Sequence, residues 1–121
     1  MYKIPEVHVF ENYDIRNIDR GRVELSTKVV DNSLNSYGNA HGGYLFTLCD
    51  QVSGLVCLSM GVNAVTMQSN MHFMQAGHRG DTLIVNGICQ HDGKTSKVVD
   101  VTIVNKSGEK LSQATFTMYV T

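Results

Sequence analysis

Hydrophobic and polar positions along the chain follow two different periods. Residues 22–30 alternate apolar and polar side chains, a pattern typical of a strand with one buried face. From Gly42 to Met60 the chain is apolar on nearly all sides, which predicts a long buried helix that stops at Gly61. After Gly61 the alternation returns and continues to the end of the chain.

Turn sequences divide the remainder of the chain into four strands. Gly80-Asp81 precedes one strand, His91-Asp92-Gly93-Lys94 is a strong hairpin signal, and Ser107-Gly108 marks a further turn. Residues 6–20 mix polar and aromatic side chains and are interpreted as a short helix followed by a connection. In the strand after Gly61, one face is predicted to carry the apolar side chains Val65, Met67, Met71 and Phe73.

This order of elements favours an α+β fold in which a curved, five-stranded antiparallel sheet wraps around one long buried helix. A helix that is apolar on all sides has more surface than one small sheet can cover. We therefore expect a second subunit to cover the rest, in a symmetric dimer or a larger assembly. Residues 1–121 show no repeat and no linker, so a single domain is expected.

Composition narrows the classes of partner. Ten basic and eleven acidic residues leave a net charge of −1, which argues against a nucleic-acid or membrane-surface partner. The first residues contain no apolar run of the signal-peptide type. The three cysteines form no CxxC pair and no histidine lies at metal-ligand spacing from them, so a cytoplasmic protein with reduced thiols and no metal is expected.

Asp50 is the first candidate for chemistry. It lies between apolar residues on the predicted helix, where an ionised carboxylate is costly unless it is hydrogen-bonded or functional. A structural aspartate and a reacting aspartate are both consistent with this pattern. Thr47, Gln51 and Gly54 fall at helical spacing from it, so one narrow stripe of the helix carries small and polar groups.

His41-Gly42-Gly43 lies at the predicted start of the helix. Two glycines there leave backbone N–H groups accessible at the positive end of the helix dipole, which suits an oxyanion. An ordinary tight turn is the alternative reading. Gly43 and Asp50 are seven residues apart, about 10 Å along a helix. One carbonyl cannot touch both within one chain, whereas two antiparallel helices across a dimer axis would bring the Asp50 of one subunit opposite the Gly42 of the other.

A thioester suits this machinery best. The sequence shows neither a Gly-x-Ser-x-Gly motif nor a Ser-His-Asp arrangement. A thiol, with an ordinary pKa of about 8.5, leaves readily as thiolate. One carboxylate and an oxyanion hole are therefore sufficient for thioester hydrolysis.

Two motifs, Asn35-x-x-Gly38-x-x-His41-Gly42-Gly43 and Phe46-x-Leu48-x-Asp50, resemble the hotdog-fold thioesterases of the phenylacetate-pathway PaaI type. Asn70-x-x-Phe73-Met74 and Gly80-Asp81 extend the resemblance. It implies hydrolysis of acyl-CoA, with CoA as part of the substrate and no separate cofactor. It also implies a homotetramer, a dimer of dimers, with CoA held at a subunit interface.

The resemblance implies roles for individual residues. Asp50 would be the nucleophile or general base, and the Gly42 N–H would polarise the thioester carbonyl. Asn35 and His41 would position the thioester or the water, and Thr66 would orient the attacking water. The further candidates for substrate contact are Gly43, Phe46, Gln51, Met67 and Arg79.

The chain departs from the family pattern at one place. Proteins of this type usually read Arg-Pro-Ala-x-x-Gly-Asp, and this chain reads Gln75-Ala76-Gly77-His78-Arg79-Gly80-Asp81. Arg79, or His78 when protonated, is the candidate to replace the missing nucleotide contact. Phe46 and Met67 would suit an aryl or a medium-chain acyl group.

Two other functions stay open on the same fold. The first is an acyl-thioester hydratase or dehydratase, in which His41 and Asp50 would share the proton transfers. The second is a non-catalytic acyl-CoA sensor.

Overall fold

The computed structural model describes residues 12–121, which form one antiparallel sheet, one long helix and a short 3-10 turn at Asp31–Ser33. The helix α1 spans Gly42–Ser59. The strands are β1 Tyr13–Asp19, β2 Arg22–Lys28, β3 Ala64–Phe73, β4 Thr82–Asp92, β5 Ser96–Asn105 and β6 Lys110–Val120. The α+β arrangement expected from the sequence is confirmed.

The strands lie in the order β1-β2-β4-β5-β6-β3, and every neighbouring pair is antiparallel. The sheet wraps around α1, which packs against all six strands. Along α1, residues such as Leu48, Val52 and Val56 are completely buried. They meet the buried alternate positions of the strands, so the core lies between the helix and the inner face of the sheet.

The sheet has six strands in the described residues, not the five expected. The additional strand is β1, so the prediction of a short helix and a connection over residues 6–20 is wrong from Tyr13 onward; residues 6–11 lie outside the described part of the chain. β1 is exposed along its whole length. β1 is a strand because its backbone pairs with β2, not because one of its faces is buried. An edge strand that is exposed on both faces needs no alternation of apolar and polar residues, so the sequence does not reveal it.

The predicted face of β3 is wrong in its first half. A bulge between Thr66 and Gln68 shifts the register against β6, so one extra residue changes which side chains face the core. Val65 and Met67 are 55% and 59% exposed. Thr66 pairs with the buried Met118 and faces the helix instead.

Gly87 sets how closely α1 approaches the sheet. A Cβ atom at this position would lie 2.6 Å from Cγ1 of Val52 and 3.0 Å from Cγ2 of Val56. The helix therefore rests directly on the backbone of β4 at this point.

Lys97 is a buried cation at the start of β5. Its ammonium group donates to the Asp92 carboxylate and, at 3.1 Å, to the carbonyl of Gly93. The hydrogen bond from Lys97 is the main reason that the pKa of Asp92 lies below its ordinary value. The exposed carboxylate of Asp92 thus neutralises the ammonium charge of Lys97, which is buried in the fold.

Among residues 12–121, no helix combines the length and apolar character needed to traverse a bilayer. The same residues contain no grouping of three or more histidine, cysteine, aspartate or glutamate side chains that could hold a metal ion.

Candidate active site

The start of α1 is capped by an imidazole. His41 has extended backbone angles (φ −64°, ψ 136°), and its Nδ1 accepts a hydrogen bond of 2.8 Å from the Gly43 N–H. Because Nδ1 is the acceptor, the neutral ring carries its proton on Nε2. The Gly42 N–H has no acceptor within residues 12–121. The helix terminus therefore presents one unused donor, beside a ring that the fold has oriented.

Asn35 shapes the loop that leads to this terminus. Its side-chain Oδ1 accepts hydrogen bonds from the N–H groups of Tyr37 at 2.9 Å and Asn39 at 3.1 Å, which leaves its amide N–H groups as donors. The backbone N–H of Ala40 donates to the Gly77 carbonyl at 2.7 Å and ties the loop to the segment after β3. A cavity of about 340 Å³ lies here, lined by Asn35, Gly42 and residues 73–77 among others.

Asp50 lies two turns further along α1 and is half-buried. The Thr66 hydroxyl of β3 donates to its Oδ1 at 2.5 Å, and the Asp50 Oδ2 has no partner within residues 12–121. The two residues meet because the bulge in β3 turns Thr66 toward the helix.

A cavity of about 510 Å³ opens over this carboxylate. Its walls include Gln51 and Gly54, so the stripe of small and polar residues expected on the helix faces one space. Thr47 of that stripe does not line the cavity; its hydroxyl donates to the Gly43 carbonyl at 2.7 Å instead. The other lining residues are Leu55, Leu58, Asn63, Ala64, Val65, Thr66 and Met118.

The two cavities are separate in one chain. No residue lines both the cavity at Gly42 and the cavity at Asp50. The structure therefore brings Asn35 and Gly42 together at one end of the helix, with His41 beside them. It brings Asp50, Gln51 and Thr66 together further along.

Four candidates for substrate contact lie outside both cavities; the first, Gly43, instead donates its N–H to His41. Phe46 is partly exposed and packs against the ring of Phe116, with 5.4 Å between the ring centroids. Met67 is exposed at the bulge of β3. Arg79 forms an exposed ion pair with Asp31, with 2.6 Å between Nε and Oδ1. Their contact with substrate stays a prediction.

Two residues at the Asp50 site have no counterpart among the sequence predictions. The Ser53 hydroxyl donates to the Asp50 backbone carbonyl at 2.7 Å, and the sulfur of Met118 lies 3.6 Å from that hydroxyl. In the sequence Met118 is one apolar residue of an alternating strand. Its position depends on the pairing of β6 with β3, which no local pattern specifies.

Cys49, the neighbour of Asp50, is not a usable nucleophile. It is completely buried, and burial, with a smaller contribution from the Asp50 carboxylate, raises the pKa of its thiol to about 12. A thiol in that state is protonated at neutral pH and packs as a small apolar group.

A six-stranded antiparallel sheet wrapped around one helix, with a carboxylate on that helix and a glycine pair at its start, defines a hotdog-fold protein of the thioesterase type. The pattern of the thioesterase superfamily matches residues 37–112. The chain belongs to this superfamily.

Individual relatives agree with this assignment. The acyl-coenzyme A thioesterase PaaI of Escherichia coli K12 is 36% identical over 93 residues, which are 77% of this chain and 66% of the length of that protein. A hypothetical thioesterase of Streptococcus pneumoniae TIGR4, solved with coenzyme A, is 51% identical with a TM-score of 0.98, over 99% of this chain and 97% of the other.

Variants of the Streptococcus pneumoniae protein have been solved as well. One has an aspartate and the other a threonine replaced by alanine, and each superimposes with a TM-score of 0.97. A protein of Streptococcus mutans UA159, solved with acetyl CoA, is 53% identical with a TM-score of 0.91, over 99% of this chain and 97% of that chain.

Proposed function

We propose that this protein is an acyl-CoA thioesterase, which hydrolyses the thioester bond to a free acid and CoA. The observation that carries the proposal is the Asp50 carboxylate, held by the Thr66 hydroxyl at 2.5 Å on the wall of a cavity of about 510 Å³. An aspartate and a threonine are also the residue types replaced singly in the Streptococcus pneumoniae relative. Relatives solved with coenzyme A and acetyl CoA support this class of substrate.

The Asp50 Oδ2 is the reacting oxygen in this proposal, because Thr66 occupies Oδ1. As a nucleophile it attacks the thioester carbonyl, the C–S bond breaks, CoA leaves as thiolate, and water then hydrolyses the mixed anhydride. As a general base it accepts a proton from the water that attacks the same carbon. Both routes use one carboxylate and end in the same products.

The Gly42 N–H supplies the oxyanion donor. It is unpaired within residues 12–121 and lies at the positive end of the α1 dipole, so it favours the charge that develops on the carbonyl oxygen. Gly43 contributes by orienting His41. Its N–H donates to the imidazole Nδ1, and this hydrogen bond fixes the ring. The His41 Nε2–H and the Asn35 amide then serve as donors to the thioester or the water.

The complete site requires two copies of the chain in this proposal. Gly42 and Asp50 line separate cavities in one chain. β3 is the end strand of the described sheet, and it exposes Val65 and Met67 beside its unpaired backbone edge. Pairing of two such edges would bring the Asp50 of one subunit near the Gly42 of the other. A homotetramer built from two such dimers remains the expected assembly.

An aryl or medium-chain acyl group is the proposed occupant of the cavity over Asp50. Gln51 lines its wall, and its inner surface combines Leu55, Leu58 and Met118 with the carboxamide of Asn63. Phe46 and Met67 would reach the acyl group only across the subunit interface. Arg79 remains the candidate for the CoA nucleotide, and its ion pair with Asp31 would have to open or be shared.

Release of free thiol from a panel of aryl- and medium-chain acyl-CoAs tests the proposal. We expect turnover by the wild type and a loss of about 100-fold or more in kcat for Asp50→Ala, since the reacting carboxylate is removed. CoA binding, measured by calorimetry, should be largely kept. If the wild type and Asp50→Ala both bind acyl-CoA and neither turns it over, the result would favour a non-catalytic acyl-CoA sensor.

Asp100 provides a matched control. Its Oδ1 also accepts a hydrogen bond from a threonine, Thr115, at 2.9 Å. It lies between the buried positions Val99 and Val101 and so faces the outside of the sheet. Asp100→Ala should retain turnover. Equal rates for Asp50→Ala and the wild type would contradict the role of Asp50.

A further inference from the structure

Gly54 lies in the interior of α1, where glycine is an unfavourable residue. It is the only glycine of the helix beyond the pair at its start, Gly42 and Gly43. A glycine in a helix interior loses more backbone entropy on folding than an alanine does, so it lowers the stability of the helix. Its presence at this position therefore needs a physical explanation.

Neither of the usual structural reasons for a glycine applies to Gly54. It is not among the glycines with positive φ, so the backbone accepts any L side chain. A Cβ atom at this position would have no atom within 4 Å, apart from its chain neighbours and the adjacent helix backbone. Gly87 is the contrast, since a Cβ atom there would lie 2.6 Å from Val52. Within residues 12–121, packing thus leaves space for a side chain at Gly54.

The open space beside Gly54 is the cavity that contains the Asp50 carboxylate. Gly54 follows Asp50 by four residues, so the two share one face of the helix, and both line this cavity of about 510 Å³. Leu55 and Leu58 line it further along α1. The cavity therefore extends along the helix from the carboxylate, past Gly54, to an apolar end at Leu58.

We infer that Gly54 determines which acyl groups the proposed thioesterase accepts, because its missing side chain leaves the space through which an acyl chain passes toward Leu58. The inference rests on the proposed function, since attack by Asp50 places the thioester carbonyl at the Asp50 end of the cavity. Gly54 lies about 6 Å further along the helix, which is the length of about five bonds of an extended chain. Acyl chains of about six carbons or more cross Gly54, and an acetyl group does not reach it.

Substitutions at Gly54 fill this space in steps. Gly54→Ala adds one methyl group, Gly54→Leu adds a branched side chain, and both residues are good helix formers. The ratio of kcat/KM for decanoyl-CoA to kcat/KM for acetyl-CoA should fall by about threefold in the alanine variant and by about 50-fold or more in the leucine variant. Thiol release across straight-chain substrates from acetyl-CoA to dodecanoyl-CoA measures this profile.

Thermal unfolding supplies a readout of the opposite sign. A glycine with a packing role would make Gly54→Ala less stable than the wild type. The cavity role predicts that Gly54→Ala unfolds at a higher temperature, because alanine is favoured in a helix and its methyl group meets no neighbour. A lower unfolding temperature, or dissociation of a wild-type oligomer in this variant, would overturn the inference, since the glycine would then serve packing within or between subunits.

The outcomes also separate this inference from the proposed function. An active wild type whose chain-length profile is unchanged in a folded Gly54→Leu variant overturns only the role of Gly54. The alanine variant decides the question if the leucine variant does not fold, and an unchanged profile there overturns the role of Gly54 as well. A folded wild type that hydrolyses no acyl-CoA of any chain length overturns both.

Discussion

The N–H of Gly42 is the single donor on which the proposed chemistry most depends. Gly42 is the first residue of α1, and the preceding His41 has extended backbone angles. Proline is well tolerated at the first position of a helix, and it requires an extended residue before it. This position therefore allows the N–H to be removed while the helix is kept.

Gly42→Pro should lower kcat by about 100- to 1,000-fold, the usual effect of losing one oxyanion donor. Gly42→Ala is the matched control, since it keeps the N–H and its Cβ would lie 3.6 Å from the Phe73 ring, an ordinary contact. Steady-state thiol release measures the effect, and thermal unfolding checks that both variants are folded. Equal activity of the two variants would show that the N–H is not used.

Residues with unusual chemistry for their position were predictable from the sequence. Asp50 was a candidate because a carboxylate in an apolar helix is costly. The glycine pair at Gly42 was a candidate because it leaves the backbone N–H groups accessible. Met118 and Ser53 were not predictable. Each is ordinary for its element, and each reaches the site only through the pairing of distant strands.

The helix and the strands that bury at least one face were predicted from the sequence. The fully exposed strand β1 and the bulge in β3 were not. α1 and the strands from β3 to β6 follow from hydrophobic period and turn residues. β1 was missed because neither face is buried, and the bulge in β3 was missed because one extra residue leaves no mark on composition. Gly87 reads as a plain strand residue, although α1 rests on it.

The ion pair between Lys97 and Asp92, at the start of β5, predicts a dependence of stability on pH. The pKa of Asp92 is lower in the folded protein than its ordinary value of 3.8, chiefly because Lys97 donates to it. Its contribution to stability is therefore present above the unfolded value, and it is lost as the pH falls through the lower folded value. Asp92→Asn should lower the unfolding temperature at neutral pH, and the difference from the wild type should shrink below about pH 4.

The control for this prediction removes the buried cation. In a Lys97→Met background, Asp92→Asn should have little effect, because no buried ammonium is left without a partner. Thermal unfolding of the four proteins between pH 3 and pH 7 measures the cycle. The same loss in both backgrounds would show that the carboxylate does not act through Lys97.

At the scale of the whole molecule, the proposed reacting carboxylate and the proposed oxyanion donor lie on one helix but line different cavities. Gly42 lines one, and Asp50 lines the other. The sequence predicts a second subunit from the apolar surface of the helix and from its rise of about 1.5 Å per residue, and this stays a prediction. The homotetramer implied by the family resemblance also stays a prediction, since it depends on surfaces that meet only after folding.

The shared site predicts complementation between two inactive variants. Asp50→Ala keeps the donor half of the site, and Gly42→Pro keeps the carboxylate half. In a mixed dimer, one of the two sites then combines an intact Gly42 with an intact Asp50. Random pairing makes half of the dimers mixed, so equal amounts should recover about a quarter of wild-type activity per subunit.

The most direct test of the account is therefore thiol release by Asp50→Ala and Gly42→Pro refolded together from denaturant. The variants refolded separately, and wild type refolded alone, are the controls. The account predicts recovery to about a quarter of the refolded wild type in the mixture only. A mixture no more active than the separate variants, with subunit exchange confirmed by mass labelling, would contradict a catalytic site that spans two chains.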